Sequence, residues 1–329
     1  MEYKIKQLPE DFIVKEIILL ECAEGGIFSY YNMTKKNLTT SQAVDIISKR
    51  TGINKKFINY AGTKDKRAIT EQKISIKNGP EKNFDFGDLK LEFICKGKER
   101  INLGNNIGNF FEIVIRKVIK KPKKIKYFVN YFDDQRFSDN NVLMGKLLIK
   151  KNFKKAVEIC AEDKKYGRII KEHIKKNKND YIGALRKIDR KILKMFIHAY
   201  QSYLWNICVS KKLEEYSYKK IKCSTYLLNV PSKKIKNFYY PIVGFGTEED
   251  DIIKGMLKKE GIDKKNFVIR EIPELSCEGS ERNVFSKVKN LFISEVEEDE
   301  INKGNKKIKI SFELEKGSYA TMAIKQMFI

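Results

Sequence analysis

Strand-like alternation marks both ends of this 329-residue chain and is absent from its middle. Near the C-terminal end Ile308, Ile310, Phe312 and Leu314 alternate with Lys309, Ser311, Glu313 and Glu315. In the first third, Leu89, Leu91, Phe93 and Cys95 alternate with polar residues, as do Phe111, Ile113 and Ile115. Alternation with period two marks half-buried strands. The runs DFIVKEIILL (11–20) and GIFSYYNM (26–33) also read as strands. From about residue 145 to 215 the pattern changes to lysine-rich helical spacing. The clearest helix is predicted over Asp189–Lys212, where Leu193, Phe196, Tyr200, Leu204 and Ile207 recur at three- and four-residue steps. Residues 216–290 are mixed and irregular. Strand-bearing ends around a helical middle predict one α+β domain built from both termini, with a second domain inserted between them. The length has room for about two domains.

The local signals in the first third are specific. A helix is predicted over 38–50, with Thr39, Thr40 or Ser41 as its N-cap and Ala43, Ile46 and Ile47 on one face. FINYAG follows as a short apolar strand ending in a glycine turn. At the other end, KGSYAT turns the chain and ATMAIKQMF reads as a short last helix.

The charge narrows the function. Lys and Arg number 67 against 43 Asp and Glu, a net of +24, which calls for a polyanionic partner: nucleic acid or an anionic membrane. No apolar run approaches the roughly 18–20 residues of a membrane span, and the charged start does not resemble a signal peptide. A cytoplasmic, nucleic-acid-binding protein is expected, with no protein partner implied. The six cysteines (Cys22, Cys95, Cys160, Cys208, Cys223, Cys277) are scattered and read as reduced, mostly buried thiols. His173 and His198 are the only histidines, which is poor material for a zinc site or a Ser-His-Asp triad. No metal and no cofactor are expected; the chemistry is left to carboxylates and amines.

One segment supplies both, NYAGTKDKRAITEQ at 59–72. Asp65 follows a strand and a glycine turn, and Lys64, Lys66 and Arg67 crowd around it. A carboxylate among cations is held ionised, as a carboxylate nucleophile must be. The same cations suit a phosphate backbone. The plainer alternative is a polar surface turn with ordinary ion pairs. The P-loop spacing is absent.

A-G-x-K-D-x-x-A-x-T-x-Q, formed here by Ala61, Gly62, Lys64, Asp65, Ala68, Thr70 and Gln72, resembles the signature of the TruD family of tRNA pseudouridine synthases. Further motifs of that family follow in order. Lys6 with PEDFIVKE (Pro9 to Glu16) is similar to its N-terminal motif, and KKNLTTSQAVDIIS to the segment entering its first helix. Gly108, Asn109, Phe111 and Arg116 resemble its G-N-x-F…R strand. NYFDDQRFS (Asn130 to Ser138), AYQSYLWN (Ala199 to Asn206) and KGSYAT (Lys316 to Thr321) resemble three more. Asp133 and Ser138 stand where the family has glycines, and Lys325-Gln326 where it has Arg-Glu.

The resemblance implies a pseudouridine-synthase catalytic domain over 1–155 and 291–329, with a mixed, mostly antiparallel sheet, and an inserted TruD-type α/β domain over 156–290. It implies isomerisation of a tRNA uridine, uridine 13 in the family, without cofactor. It places the nucleophile at Asp65, its cationic partner at Lys6 and the base-stacking aromatic at Phe132. Asn130 is set beside the uracil edge or the Asp65 loop. Lys64, Lys66, Arg67, Gln135 and Arg136 are set toward RNA, and Phe12 and Glu16 act as support. Lysine clusters at 117–126, 150–155 and 171–178 suit a phosphate-tracking surface. Two other classes share some of these features. A non-catalytic RNA-binding protein of the same fold shares the charge. A methyl-donor-dependent enzyme has only LGNNIGN (103–109) in its favour, without G-x-G-x-x-G spacing.

Overall fold

The computed structural model describes residues 3–137, 140–233 and 235–329; Ser138, set above against a family glycine, lies outside them. In chain order the first elements are β1 (Phe12–Ile17), β2 (Phe28–Lys36), α1 (Thr40–Thr51), β3 (Ile58–Tyr60), β4 (Ile69–Lys77), β5 (Phe84–Asp85), β6 (Leu89–Gly97), β7 (Gly108–Val118) and β8 (Tyr127–Val129). Then come α2 (Asn141–Ile149), α3 (Phe153–Ala161), α4 (Gly167–Lys176), α5 (Tyr181–Leu185), α6 (Arg190–Lys212), β9 (Lys219–Cys223), β10 (Tyr226–Val230) and β11 (Tyr239–Ile242). The last are α7 (Asp251–Glu260), β12 (Ser280–Asn283), β13 (Phe285–Lys287), β14 (Lys289–Glu298), β15 (Lys306–Glu315) and α8 (Ala320–Met327).

The chain forms two compact units, one from the residues up to Phe128 with Ser286–Phe328, the other from Val129–Phe285. The first holds a sheet in the order β14-β15-β7-β1-β4-β2-β6-β5, with β3 also paired to β4. Among the described residues β1 and β4 run parallel within it and the other pairs are antiparallel. The C-terminal strand β15 lies against β7 from Lys306 to Glu315, so the last part of the chain completes a sheet begun by the first. The fold class is α+β with a mostly antiparallel sheet.

The elements follow from local chemistry. Thr39 caps α1: its hydroxyl accepts from the Gln42 N–H, and the Gln42 side chain accepts from the Thr39 N–H. One face of that helix, through Ala43, Val44 and Ile47, covers Tyr31 and Met33 of β2, Ile74 and Ile76 of β4, and Leu89 and Leu91 of β6. Burying each such side chain stabilises by about 1.5–3 kcal/mol. Gly317, at φ +78°, makes the turn of KGSYAT before α8.

In the second unit α2 packs on α6. A Cβ added at Gly145 of α2 would lie 2.1 Å from the Phe196 carbonyl oxygen, so only glycine permits this approach. That contact explains why residues 129–155, assigned from sequence to the first domain, cluster with the second unit. Tyr200 and Trp205 of α6 are wholly buried, and the Trp205 indole N–H donates to the Tyr240 carbonyl at 3.0 Å. The stretch 216–290 contains two short antiparallel pairs, β9 with β10 and β11 with β12, with α7 between β11 and β12 in sequence.

The cysteine expectation is corrected. Cys22 and Cys95 are joined by a disulfide, while Cys160, Cys208, Cys223 and Cys277 are free. The two lie 73 residues apart, a spacing that carries no signal. They meet because the Ala23 N–H donates to the Lys96 carbonyl, laying the end of β1's exit along β6.

Candidate active site

Asp65 sits in the loop between β3 and β4, and that loop is fixed along its backbone. The buried Gln72 amide donates to the Gly62 carbonyl at 3.0 Å and accepts from the Thr40 hydroxyl at 3.0 Å. That hydroxyl accepts in turn from the Lys64 N–H at 3.0 Å. The Lys35 ammonium donates to the Asp65 carbonyl at 3.0 Å. Ala61 and Ala68 close the two ends of the loop inside the protein. The loop is anchored from within, yet the Asp65 side chain keeps 29% of its surface exposed.

Lys6 meets it. Its Nζ lies 2.7 Å from Asp65 Oδ2 and 4.0 Å from the centre of the Phe12 ring. The Lys6 backbone is in the left-handed region, φ +56°, which costs a side-chain-bearing residue about 1–3 kcal/mol. Both flanks enforce it. Lys4 exchanges backbone hydrogen bonds with Arg116, and the Leu8 N–H donates to the Asp11 carboxylate at 2.8 Å.

The PEDFIVKE run thereby acquires distinct physical roles. Asp11, 1% exposed, binds the Arg116 guanidinium through Nε at 2.9 and 3.0 Å. Arg116 also reaches Asp299 at 3.0 Å and Glu300 at 3.1 Å. Burial pushes the Asp299 carboxyl up, but hydrogen bonds from Asn302, Ile301 and Lys117 outweigh it and bring it down to about 2. Phe12 lies under the Lys6 ammonium. Glu16 pairs with the Lys64 ammonium at 2.5 Å and accepts from the Lys73 N–H at 3.1 Å.

That pairing changes the picture of the lysines. Lys64, expected from sequence to face RNA, points inward: its side chain is 7% exposed and its partner Glu16 is 0% exposed. The reason is chemical, since a buried carboxylate on β1 needs a cation. Lys66 and Arg67 are exposed, with an Arg67 N–H on the Gln7 carbonyl at 3.2 Å. Lys35 carries no sequence signal of its own beyond its place in KKNLTT, yet it is wholly buried on β2. Burial pulls its ammonium down to about 8, against the opposing pull of Asp65; nearby Lys64 adds to the lowering.

The remaining candidates belong to the second unit. Phe132 is 4% exposed. Its backbone is bracketed by Asn206 of α6, which accepts from its N–H at 2.9 Å and donates to its carbonyl at 2.8 Å. The ring meets the Trp205 edge at 5.6 Å, and the Arg282 guanidinium lies 4.2 Å from its centre. Arg282 also donates to the Asn130 carbonyl at 2.8 and 3.1 Å. The Asn130 side-chain oxygen is buried with no hydrogen-bond partner among the described residues. Gln135 is exposed and Arg136 half-buried, its guanidinium 5.5 Å from the Phe132 ring. Phe132, Arg136, His198, Gln201, Ser202 and Arg282 are among the residues lining a cavity of about 400 Å³. Burial lowers the His198 imidazole, and Arg136 and Lys194 lower it further.

Asp133, where the family has glycine, does not need positive φ and so accepts a side chain. With Asp134 and Cys223 it brings ligand-type atoms within 4.8 Å of one another. Asp133 accepts from the Asp134 N–H, Asp134 accepts from the Ser224 N–H, and the Cys223 thiol donates to the Phe132 carbonyl. These groups tie the turn together. Arg282 was invisible in the sequence because it falls in the irregular stretch and matches no motif.

Comparison with known proteins agrees with this architecture. The family profile described as tRNA pseudouridine synthase D (TruD) matches residues 1–165, 160–223 and 232–327. The chain is 36% identical to "Probable tRNA pseudouridine synthase D 2" of Methanocaldococcus jannaschii, over 99% of this chain and 92% of that protein. It is 30% identical to tRNA pseudouridine synthase D of Aquifex aeolicus, over 100% of this chain and 98% of that protein. The crystal structure of the Methanosarcina mazei TruD protein superposes with a TM-score of 0.72 at 26% identity, covering 99% of this chain and 93% of that one. Among the described residues no helix is long and apolar enough to cross a membrane. With its profile matched along nearly the whole chain and relatives aligned end to end, this chain belongs to the TruD family of tRNA pseudouridine synthases.

Proposed function

We propose that this protein isomerises uridine 13 of tRNA to pseudouridine, with Asp65 as the nucleophile and Lys6 as its cationic partner. The observation that carries the reading is the 2.7 Å pair of Lys6 and Asp65, a partly exposed carboxylate on a loop whose backbone is held by buried side chains. A nucleophile must be positioned and reachable, and this aspartate meets both conditions.

The target nucleotide leaves its stack at a cost of a few kcal/mol. Asp65 attacks either the uracil ring or the sugar C1′. The N1–C1′ bond breaks, the base turns, C5 bonds to C1′, and the bond to Asp65 breaks, which returns its carboxylate. C5 then gives up its proton and N1 gains one, so atoms and charge balance. Lys6 keeps the carboxylate oriented and offsets its charge until it reacts. The exposed Lys66 and Arg67 flank the loop and suit phosphate contacts. Lys64 is withdrawn from that role, because its ammonium is committed to Glu16. Phe132 keeps the stacking role on one condition: the Arg282 guanidinium must move off the ring it covers.

The test incubates purified protein with unmodified tRNA transcripts and maps pseudouridine by carbodiimide-dependent reverse-transcription stops. A stop at uridine 13 is expected with the wild type. Asp65→Asn should lose at least about 10³-fold in turnover while still binding tRNA. Activity retained by Asp65→Asn would remove the nucleophile assignment, and a stop at another uridine would remove the position.

A further inference from the structure

Lys35 is a buried cation to which the reaction above gives no role. Its side chain is 0% exposed on β2, on the face that carries Tyr31 and Met33 into the core beneath α1. Among the described residues no carboxylate lies within ion-pair distance of it. Its ammonium instead donates to two backbone carbonyls, Leu38 at 2.5 Å and Asp65 at 3.0 Å. These carbonyls belong to the two segments that frame the reactive carboxylate: the entry to α1, and the β3–β4 loop. Directly opposite Lys35 on β4 is Thr70, also wholly buried, whose hydroxyl oxygen has no hydrogen-bond partner among the described residues.

A buried ammonium without a carboxylate is costly, and a hydrophobic side chain of the same length would fill the space better. What the ammonium does that a hydrophobe cannot do is fasten the carbonyl of the reactive residue itself. The Gly62 carbonyl and the Lys64 N–H are held by the Gln72 and Thr40 side chains, upstream of Asp65. Lys35 holds the carbonyl of residue 65, directly behind the carboxylate, and ties it to the Leu38 carbonyl at the entry to α1.

We propose that Lys35 is a positioning residue for the reaction, clamping the Asp65 peptide to the Leu38 carbonyl so that the Asp65 carboxylate is presented at a fixed place. Lys6 sets the carboxylate's charge partner; Lys35 sets where its backbone stands. The inference rests on the assignment of Asp65 as nucleophile.

Lys35→Met keeps length and apolar bulk and removes the clamp. The full-length variant is compared with wild type and with Asp65→Asn for kcat and KM on tRNA transcript, tRNA affinity, melting temperature, and amide hydrogen exchange over residues 61–70. The expected result is a fall in kcat of about 10²-fold, the effect of misplacing a reacting group by about 1 Å. KM and tRNA affinity should stay within about threefold, because the substrate surface is untouched. Exchange over 61–70 should rise selectively. A variant with wild-type kcat, or one whose exchange over 61–70 is unchanged, overturns the clamp. If Lys35→Met does not fold, Lys35→Arg replaces it: a retained cation with altered reach should fold and show the same kcat-only loss. Equal kcat for Lys35→Arg and wild type overturns the proposal in that case. Asp65→Asn separates the two ideas. If it is inactive while Lys35→Met is fully active, only the clamp fails. If it is active, the nucleophile assignment fails first.

Discussion

The Asp65 loop and the Phe132 turn are both built from family motifs, and they are stabilised in opposite ways. Around Asp65 the backbone is held by buried polar groups: Gln72, Thr40, Lys35 and the Glu16–Lys64 pair. The Asp65 side chain itself stays partly open. Around Phe132 the backbone is held by Asn206, with the Cys223 thiol on the same carbonyl, and the ring is packed away between Trp205 and Arg282. One region exposes its functional group in advance; the other keeps it covered. A carboxylate can wait in water, where its charge is solvated. An aromatic face left open would expose apolar surface, so covering it with a guanidinium that tolerates both ring and water is the cheaper arrangement.

The sharpest break in this contrast is at the buried ion pair. Glu16→Ala leaves the Lys64 ammonium inside the protein without its carboxylate, and should cost about 3–5 kcal/mol of stability. Urea unfolding of the full chain checks it. The double variant Glu16→Ala, Lys64→Met should recover most of that loss, because the charge needing a partner is gone. If the single variant unfolds like wild type, the pair does not hold the loop, and the two regions are less different than they look.

The second measure concerns pH. The Lys35 ammonium is down at about 8 in the folded protein, and an unfolded lysine titrates near 10.4. Between these values the unfolded chain binds more protons than the folded one, so raising the pH stabilises the fold through this group. Below about 8 both states are protonated and the folded state bears the full cost of a buried charge. The stability of wild type relative to Lys35→Met should therefore climb by about 3 kcal/mol from pH 7 to above 10.5. Comparison of urea midpoints cancels the other lysines. A flat difference would show that the ammonium is stabilised by its two carbonyls as well as it is by water.

How much of this was legible from residues alone depended on whether partners were near in sequence. The α1 cap was readable because Thr39 and Gln42 are three residues apart, and β15 because alternation is local. The terminal strands could be assigned to one sheet. The extent of the second unit was not readable: α2 belongs with α6 because Gly145 fits against Phe196, and no local pattern announces a helix's partner. In the site, Asp65 stood out by its crowd of cations, but which cation turns inward did not. Lys64 is drawn in by Glu16, 48 residues away, and Lys35 reaches the Asp65 carbonyl across 30 residues. Exposure, which separates Lys66 from Lys64, is a property of the folded sheet. Arg282 and the Cys22–Cys95 bridge are long-range in the same sense, and no spacing rule finds them.

The smallest expected effect probes the covered side of the comparison. Arg282 touches Phe132 through its guanidinium at 4.2 Å and the Asn130 carbonyl through two N–H groups. Arg282→Ala should destabilise the protein by about 2 kcal/mol, the low end of a cation–π contact added to a charged hydrogen bond. Phe132→Leu alone removes the ring but leaves Arg282 on the carbonyl. If the guanidinium is bound to the ring face, the two changes will not add, and a double-mutant cycle should return a coupling of about 1 kcal/mol. A base that stacks on Phe132 must then displace that contact, and Arg282→Ala should bind tRNA with less penalty at this position than its lost positive charge alone would suggest. Raising the salt concentration separates the two contributions, because the phosphate component weakens with salt and the ring contact does so far less. A coupling near zero would mean that Arg282 only passes by the ring. Phe132 would then be packed as an ordinary core residue, and the contrast between an open carboxylate and a covered aromatic would reduce to a difference in burial.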